Sequence, residues 1–161
     1  LKIISAKTAE LFAASTKVGA ILSEMKSKEK EALEFYGRNL GLTFQIADDT
    51  LDYNSEIKLF GKKNGQDFYE GKITLPIILL FQKADNQERE KLKDIFSKSL
   101  RKENDLDYTL SLIKKYDIIK ACYQKAQHYI NLASNSLSVF KDSNEKNILE
   151  NLTSFSLSRN F

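Results

Sequence analysis

The stretch Ser27-Lys28-Glu29-Lys30-Glu31-Ala32-Leu33-Glu34-Phe35-Tyr36-Gly37-Arg38-Asn39-Leu40-Gly41-Leu42-Thr43-Phe44-Gln45-Ile46-Ala47-Asp48-Asp49-Thr50-Leu51-Asp52-Tyr53 decides the fold class. Its apolar residues Leu33, Tyr36, Leu40, Phe44, Ala47 and Leu51 recur in steps of three and four, the period of one helix face. The pattern predicts a long amphipathic helix with Ser27 as its N-cap. The same period runs outward. Leu11, Ala14, Val18, Ile21, Leu22 and Met25 predict a helix over roughly 3–25. Thr74-Leu75-Pro76 opens an apolar helix through Phe81, because proline is tolerated in a first turn, where its missing N–H has no partner to lose. Asp85 with Glu88, and Asp142 with Glu145, read as capping boxes. Segments near 105–116 and 117–140 complete the helical reading. Five of the six glycines and the only proline fall between positions 37 and 76. The breakers are therefore concentrated around a Gly-, Lys- and Asn-rich loop at roughly 54–73, and the rest is free to be helix. The expected architecture is an all-α bundle forming a single helical domain over 1–161.

Composition removes several function classes. A formal charge of +3 from 25 basic and 22 acidic residues lacks the concentrated basic face of a nucleic-acid binder. No apolar run reaches the length of a membrane span. One cysteine, Cys122, rules out an internal disulfide, which suits a reducing, cytoplasmic setting. Leu1-Lys2-Ile3-Ile4 opens inside a helical pattern with no signal-peptide features, as the start of a fragment would.

The chemistry gathers at the end of the long helix. At roughly 100° per residue, Asp48 and Asp52 lie about 40° apart, with Gln45 about 60° from Asp48 on the same side. Like charges at these spacings repel, and a helix C-terminus is the unfavourable end for negative charge. Two local penalties in one place call for a compensating cation. Carboxylate oxygens are what Mg²⁺ prefers, and Mg²⁺ commonly joins carboxylates to substrate phosphates. The alternative is a solvated acidic helix end. Lys7 beside Thr8, Lys62 after Gly61 and Lys72 after Gly71, with Asp67 between the last two, favour a diphosphate clamp, since lysines neutralise phosphate oxygens. His128 and Cys122 read as structural or surface residues. Phe35, Tyr36, Phe44 and Phe81 read as core.

The stretch Gly41–Tyr53 resembles the second aspartate-rich motif of the trans-type isoprenyl (polyprenyl) diphosphate synthases. Gly61–Pro76 is similar to that family's next signature, and Lys7-Thr8-Ala9-Glu10-Leu11-Phe12 to its upstream Lys-Thr motif. Weaker similarity extends through Tyr116-Asp117 to Phe155 and Arg159. The resemblance implies the C-terminal part of an isoprenoid-synthase fold. It also implies condensation of isopentenyl diphosphate with an allylic diphosphate after Mg²⁺-assisted ionisation. Asp48 would be a direct metal ligand, with Asp49 and Asp52 direct or through water. Lys7, Lys62 and Lys72 would hold the allylic diphosphate, and Thr8 and Gln45 would line the reacting centre.

The stretches Leu51-Asp52-Tyr53 and Glu70–Pro76 look most like the medium- and long-chain (octaprenyl or decaprenyl) members, which make quinone side chains. A homodimer is expected by the same analogy. The family's first aspartate-rich motif and its paired arginines have no counterpart in this chain. The resemblance therefore implies the C-terminal half of the enzyme, inactive by itself. A non-catalytic partner subunit would not need the intact aspartates. A terpene cyclase usually carries a different second metal motif. A plain helical interaction module would bind neither Mg²⁺ nor diphosphate.

Overall fold

The computed structural model describes residues 2–54 and 65–158, with the side chains of 157 and 158 excluded. All regular structure among the described residues is helical. In chain order these are α1 (Lys2–Ile4), a π-helical stretch (Ser5–Ala9), α2 (Glu10–Leu22), α3 (Ser27–Leu51), α4 (Gln66–Tyr69), α5 (Leu75–Lys83), α6 (Asn86–Ser97), α7 (Glu103–Lys115), α8 (Ile118–Ser136), a 3₁₀ turn (Leu137–Val139) and α9 (Asn144–Ser158). They form two compact units, one of residues 1–47 with 124–161 and the other of residues 48–123.

In the first unit α2 and α3 pack side by side through small residues. A Cβ on Gly37 would stand 2.5 Å from the Phe12 carbonyl oxygen, and one on Gly41 would stand 2.7 Å from Ala9 Cα. Thr16 Oγ1 crosses the gap to donate to the Leu33 carbonyl at 2.6 Å. Pairing Thr16 with Leu33 and Gly37, and Ala9 with Gly41, sets an antiparallel register. The pairs Lys17–Glu34 and Arg38–Glu10 line the outer edge of the seam. Tyr36, Leu40, Ala133 and Leu137 form the core, covered by Phe12, Leu33, Phe140 and Leu149. The buried Tyr36 hydroxyl donates to the Leu149 carbonyl at 2.8 Å, tying α9 to α3. Its burial pushes the phenol up to about 12.

The apolar row that marks the first helix is exposed in this chain. Leu11 (71%), Val18 (51%), Ile21 (49%) and Leu22 (79%) are exposed, whereas Ala9, Ala13 and Ala20 are buried. The reason lies in α3. Its glycines admit only a face of small side chains at contact distance, so α2 turns its alanines inward.

In the second unit Phe68, Ile77, Leu80, Leu92, Ile95 and Ile118 lie at the centre, with Cys122 packed among them as a small core residue. Phe68 meets Phe96 edge-on at 5.5 Å, a favoured aromatic geometry. Thr74 stands at the N-cap position of α5, as the Thr74-Leu75-Pro76 reading required. At the far end of α5, Arg89 Nε and Nη2 donate to the carbonyls of Phe81 (3.1 Å) and Ala84 (2.9 Å). These are the carbonyls that a helix end leaves unpaired.

Three caps were open to test. Asp85 and Glu88 form the full capping box. The last helix is capped one residue later than expected, by Ser143 Oγ accepting from Lys146 N–H at 3.2 Å. Ser27 is the first helical residue of α3, not its cap, and its hydroxyl donates to Glu31 at 3.3 Å. Glu29 accepts the Lys26 amide at 2.8 Å instead.

Glu88 also takes Lys115 Nζ at 2.6 Å and the Tyr116 hydroxyl at 2.6 Å, which joins the start of α6 to the end of α7. Lys115, then Tyr116, pull its carboxyl down to about 2. A carboxyl depressed in the folded state contributes stability above its unfolded value and loses it as pH falls toward the folded value. Melting temperature is therefore expected to drop between about pH 4.5 and pH 2. In Glu88→Gln that part of the acid transition should be missing. An unchanged acid profile would contradict the bridge.

Candidate active site

The residues singled out by sequence fall in both units. In the first, Lys7 and Thr8 lie in the π-helical stretch Ser5–Ala9. Such single π turns inside helices are frequent at functional sites. Thr8 Oγ1 donates to Gln45 Oε1 at 2.6 Å. The glycine seam explains how they meet: Gln45 is one turn beyond Gly41 on α3, and Thr8 is one residue before Ala9, whose Cα lies against Gly41. Gln45 is buried at 5% exposure, and Lys7 is exposed. The family resemblance implied that Thr8 and Gln45 share one centre, beside Lys7. The register of α2 on α3 brings Gln45 to Thr8.

In the second unit the three aspartates take three different environments. Asp48 is exposed, in the last turn of α3. Asp49 is buried at 4% exposure. Asp52 lies just past the helix end and turns to the next described segment, where its Oδ1 accepts Gln66 N–H (3.0 Å) and its Oδ2 accepts Asp67 N–H (2.9 Å). Burial pushes the Asp52 carboxyl up, against the backbone amides of Asp67, Gln66 and Phe68 that favour its charged form. Among the described residues, no three of His, Cys, Asp and Glu converge closely enough to hold a metal ion. Asp49 is rotated about 100° from Asp48 around the helix, and Asp52 is held by amides.

The loop expected over 54–73 contains α4, a four-residue helix. Lys62 lies outside the described residues, as do its neighbours from 55 to 64. Lys72 Nζ sits 2.6 Å from Glu70 Oε2 and 2.9 Å from Asp67 Oδ1. These two carboxylates, Glu70 first, hold its ammonium above the usual lysine range. The segment turns back at Gly71, whose φ of +74° and lack of a Cβ leave room for the Arg101 guanidinium, 2.6 Å from where that atom would be. Arg101 donates to the carbonyls of Tyr69 at 3.3 Å and Phe96 at 2.9 Å. Arg101 and Glu70 were not singled out by sequence. Only the Gly71 punctuation signalled a close approach there.

Among the described residues, the buried hydroxyls of Tyr53 and Thr74 have no well-formed hydrogen bond, although they interact with one another. Burial, then the charges of Asp52 and Asp67, push the Tyr53 phenol well above its usual range. Buried hydroxyls of this kind are commonly satisfied by ordered water.

Comparison with known proteins agrees across the chain. The polyprenyl synthetase family model matches residues 1–113. A short chain isoprenyl diphosphate synthase from Methanothermobacter thermautotrophicus is 34% identical over 159 residues, covering 99% of this chain and 48% of that protein. The solved decaprenyl diphosphate synthase from Rhodobacter capsulatus superposes with a TM-score of 0.91 at 33% identity, over 99% of this chain and 49% of that one. The polyprenyl synthase from Caulobacter crescentus, solved with calcium and isoprenyl diphosphate, gives 0.89 at 38% identity, over 99% and 48% respectively. The expected all-α isoprenoid-synthase fold is the one these structures share with this chain. The chain spans about half the length of these relatives. It belongs to the polyprenyl synthetase family.

Proposed function

We propose that this chain supplies the second metal–diphosphate half of a polyprenyl diphosphate synthase, a prenyltransferase that condenses isopentenyl diphosphate with an allylic diphosphate. The observation that carries this is the exposed Asp48 carboxylate on the last turn of α3. A helix C-terminus is a place of negative potential, so a carboxylate there gains from a bound cation. The donor chemistry fits Mg²⁺, with Asp48 as direct ligand and Asp49 supporting it directly or through water. When bound, Mg²⁺ would neutralise the charge that develops on the departing diphosphate.

The chain's own residues share the remaining work. Lys72 adds positive charge for the diphosphate oxygens, joined by Lys7 and Lys62. Its pairs with Glu70 and Asp67 are half-exposed, at 49% for the lysine side chain, and such solvent-screened pairs contribute little. A diphosphate can therefore replace them at little cost. Thr8 holds the Gln45 side chain by its hydrogen bond, and the two would line the reacting centre as fixed oxygen dipoles. This favours the transition state because the dipoles need no reorganisation. A medium- or long-chain product for a quinone side chain, a homodimer and a single helical domain over 1–161, forming the C-terminal half of the enzyme, belong to the same proposal.

Calorimetric titration with farnesyl diphosphate tests it. Binding should require Mg²⁺ and be absent for farnesol, and the purified chain should not elongate farnesyl diphosphate with isopentenyl diphosphate. Binding independent of Mg²⁺, or equal for the alcohol, would overturn it. Elongation by this chain alone would overturn the assignment of half an active site.

A further inference from the structure

Three oxygens of Asp52 are engaged by one turn of chain. Its carbonyl accepts Gly65 N–H at 2.9 Å. Its two carboxylate oxygens accept the next two amides, from Gln66 and Asp67, at 3.0 and 2.9 Å. Gly65, the N-cap residue of α4 with φ +86°, supplies no side-chain cap. Asp52 takes that role from 14 and 15 residues away. Asp67 is the pivot of the segment. Its amide is held by Asp52, its carboxylate holds Lys72 at 2.9 Å, and its carbonyl accepts Lys72 N–H at 2.9 Å.

Both carboxylate oxygens of Asp52 are thus turned to the backbone of one segment, whereas the Asp48 carboxylate is exposed. We propose that Asp52 is a positioning residue: it fixes the 65–72 segment through Asp67 so that Lys72 is held for the diphosphate, and it is not a metal ligand. This rests on the metal–diphosphate function proposed above. It divides the aspartate-rich motif into a metal-facing part, Asp48, and a loop-anchoring part, Asp52.

Two titrations of the purified protein test the division. Mn²⁺, followed by its paramagnetic effect on water protons, should bind Asp52→Asn within about twofold of the unchanged protein, while Asp48→Asn loses at least about tenfold. Inorganic pyrophosphate at saturating Mg²⁺ should bind about tenfold more weakly to Asp52→Ala, the loss of one charge-assisted contact, with little further loss when Lys72→Met is already present. Asp52→Asn, which keeps one acceptor, should recover part of the affinity. The amides of Gln66 and Asp67 should exchange faster with solvent in both Asp52 variants. Mn²⁺ loss in Asp52→Asn equal to that in Asp48→Asn would make Asp52 a ligand and overturn the proposal. Additive losses with Lys72→Met, or unchanged exchange at both amides, would also overturn it. If Asp48→Asn changes neither titration, the metal–diphosphate function itself falls, and the proposal falls with it.

Discussion

Gly41→Val is expected to destabilise the protein by about 2–3 kcal/mol, the upper range for forcing extra carbon atoms into a packed contact. The first added carbon would stand 2.7 Å from Ala9 Cα and 3.1 Å from Phe12 Cβ. The nearest obstacle is backbone, which cannot rotate aside. The chain near Ala9 must move away from α3, and the 2.6 Å bond from Thr8 to Gln45 is made from the adjacent residue. The variant should therefore lose stability and the fixed Gln45 geometry together. Gly19 provides the internal comparison, because a Cβ there meets nothing within 4 Å. Gly19→Ala should stabilise by about 0.5–1 kcal/mol, the ordinary gain of alanine over glycine inside a helix. Urea denaturation of both variants reads the difference. Equal effects of like sign would show that the seam is not close-packed at Gly41.

The long helix was legible because its apolar stripe is regular and its neighbours are ordinary side chains. Tyr36, Leu40, Ala47 and Leu51 are all buried, as the period requires. The first helix was legible as a helix but not in its orientation. It carries two candidate faces, a large apolar row through Leu11 and Val18 and a small row through Ala9, Ala13 and Ala20. Hydrophobicity favours the first; the contact distance set by Gly37 and Gly41 selects the second. The π-helical turn at Lys7 and Thr8 has no periodic signature at all. At the candidate site, the residue types were legible and their surroundings were not. Asp48 and Asp52 share one face on a helical wheel, but the helix ends at Leu51, and past it Asp52 bonds to Gln66 and Asp67. Long-range capping of that kind leaves no local pattern to read.

Asp48→Asn is expected to weaken Mg²⁺-dependent diphosphate binding by about tenfold to a hundredfold, at least the loss that follows removal of a supporting group around a bound metal. Asparagine keeps the shape and one oxygen but removes the charge, which is the quantity a hard divalent cation requires. Asp48 is exposed, so the substitution leaves no buried group behind and stability should change by no more than about 0.5 kcal/mol. It should in fact rise slightly, because one negative charge leaves the C-terminal end of α3.

A titration of inorganic pyrophosphate into the unchanged protein and Asp48→Asn, at saturating and zero Mg²⁺, tests the central claim most directly. The account predicts tight binding only for the unchanged protein with Mg²⁺, and a loss of about tenfold or more in the variant with no fall in melting temperature. Equal affinity of the two proteins with Mg²⁺ present would contradict it.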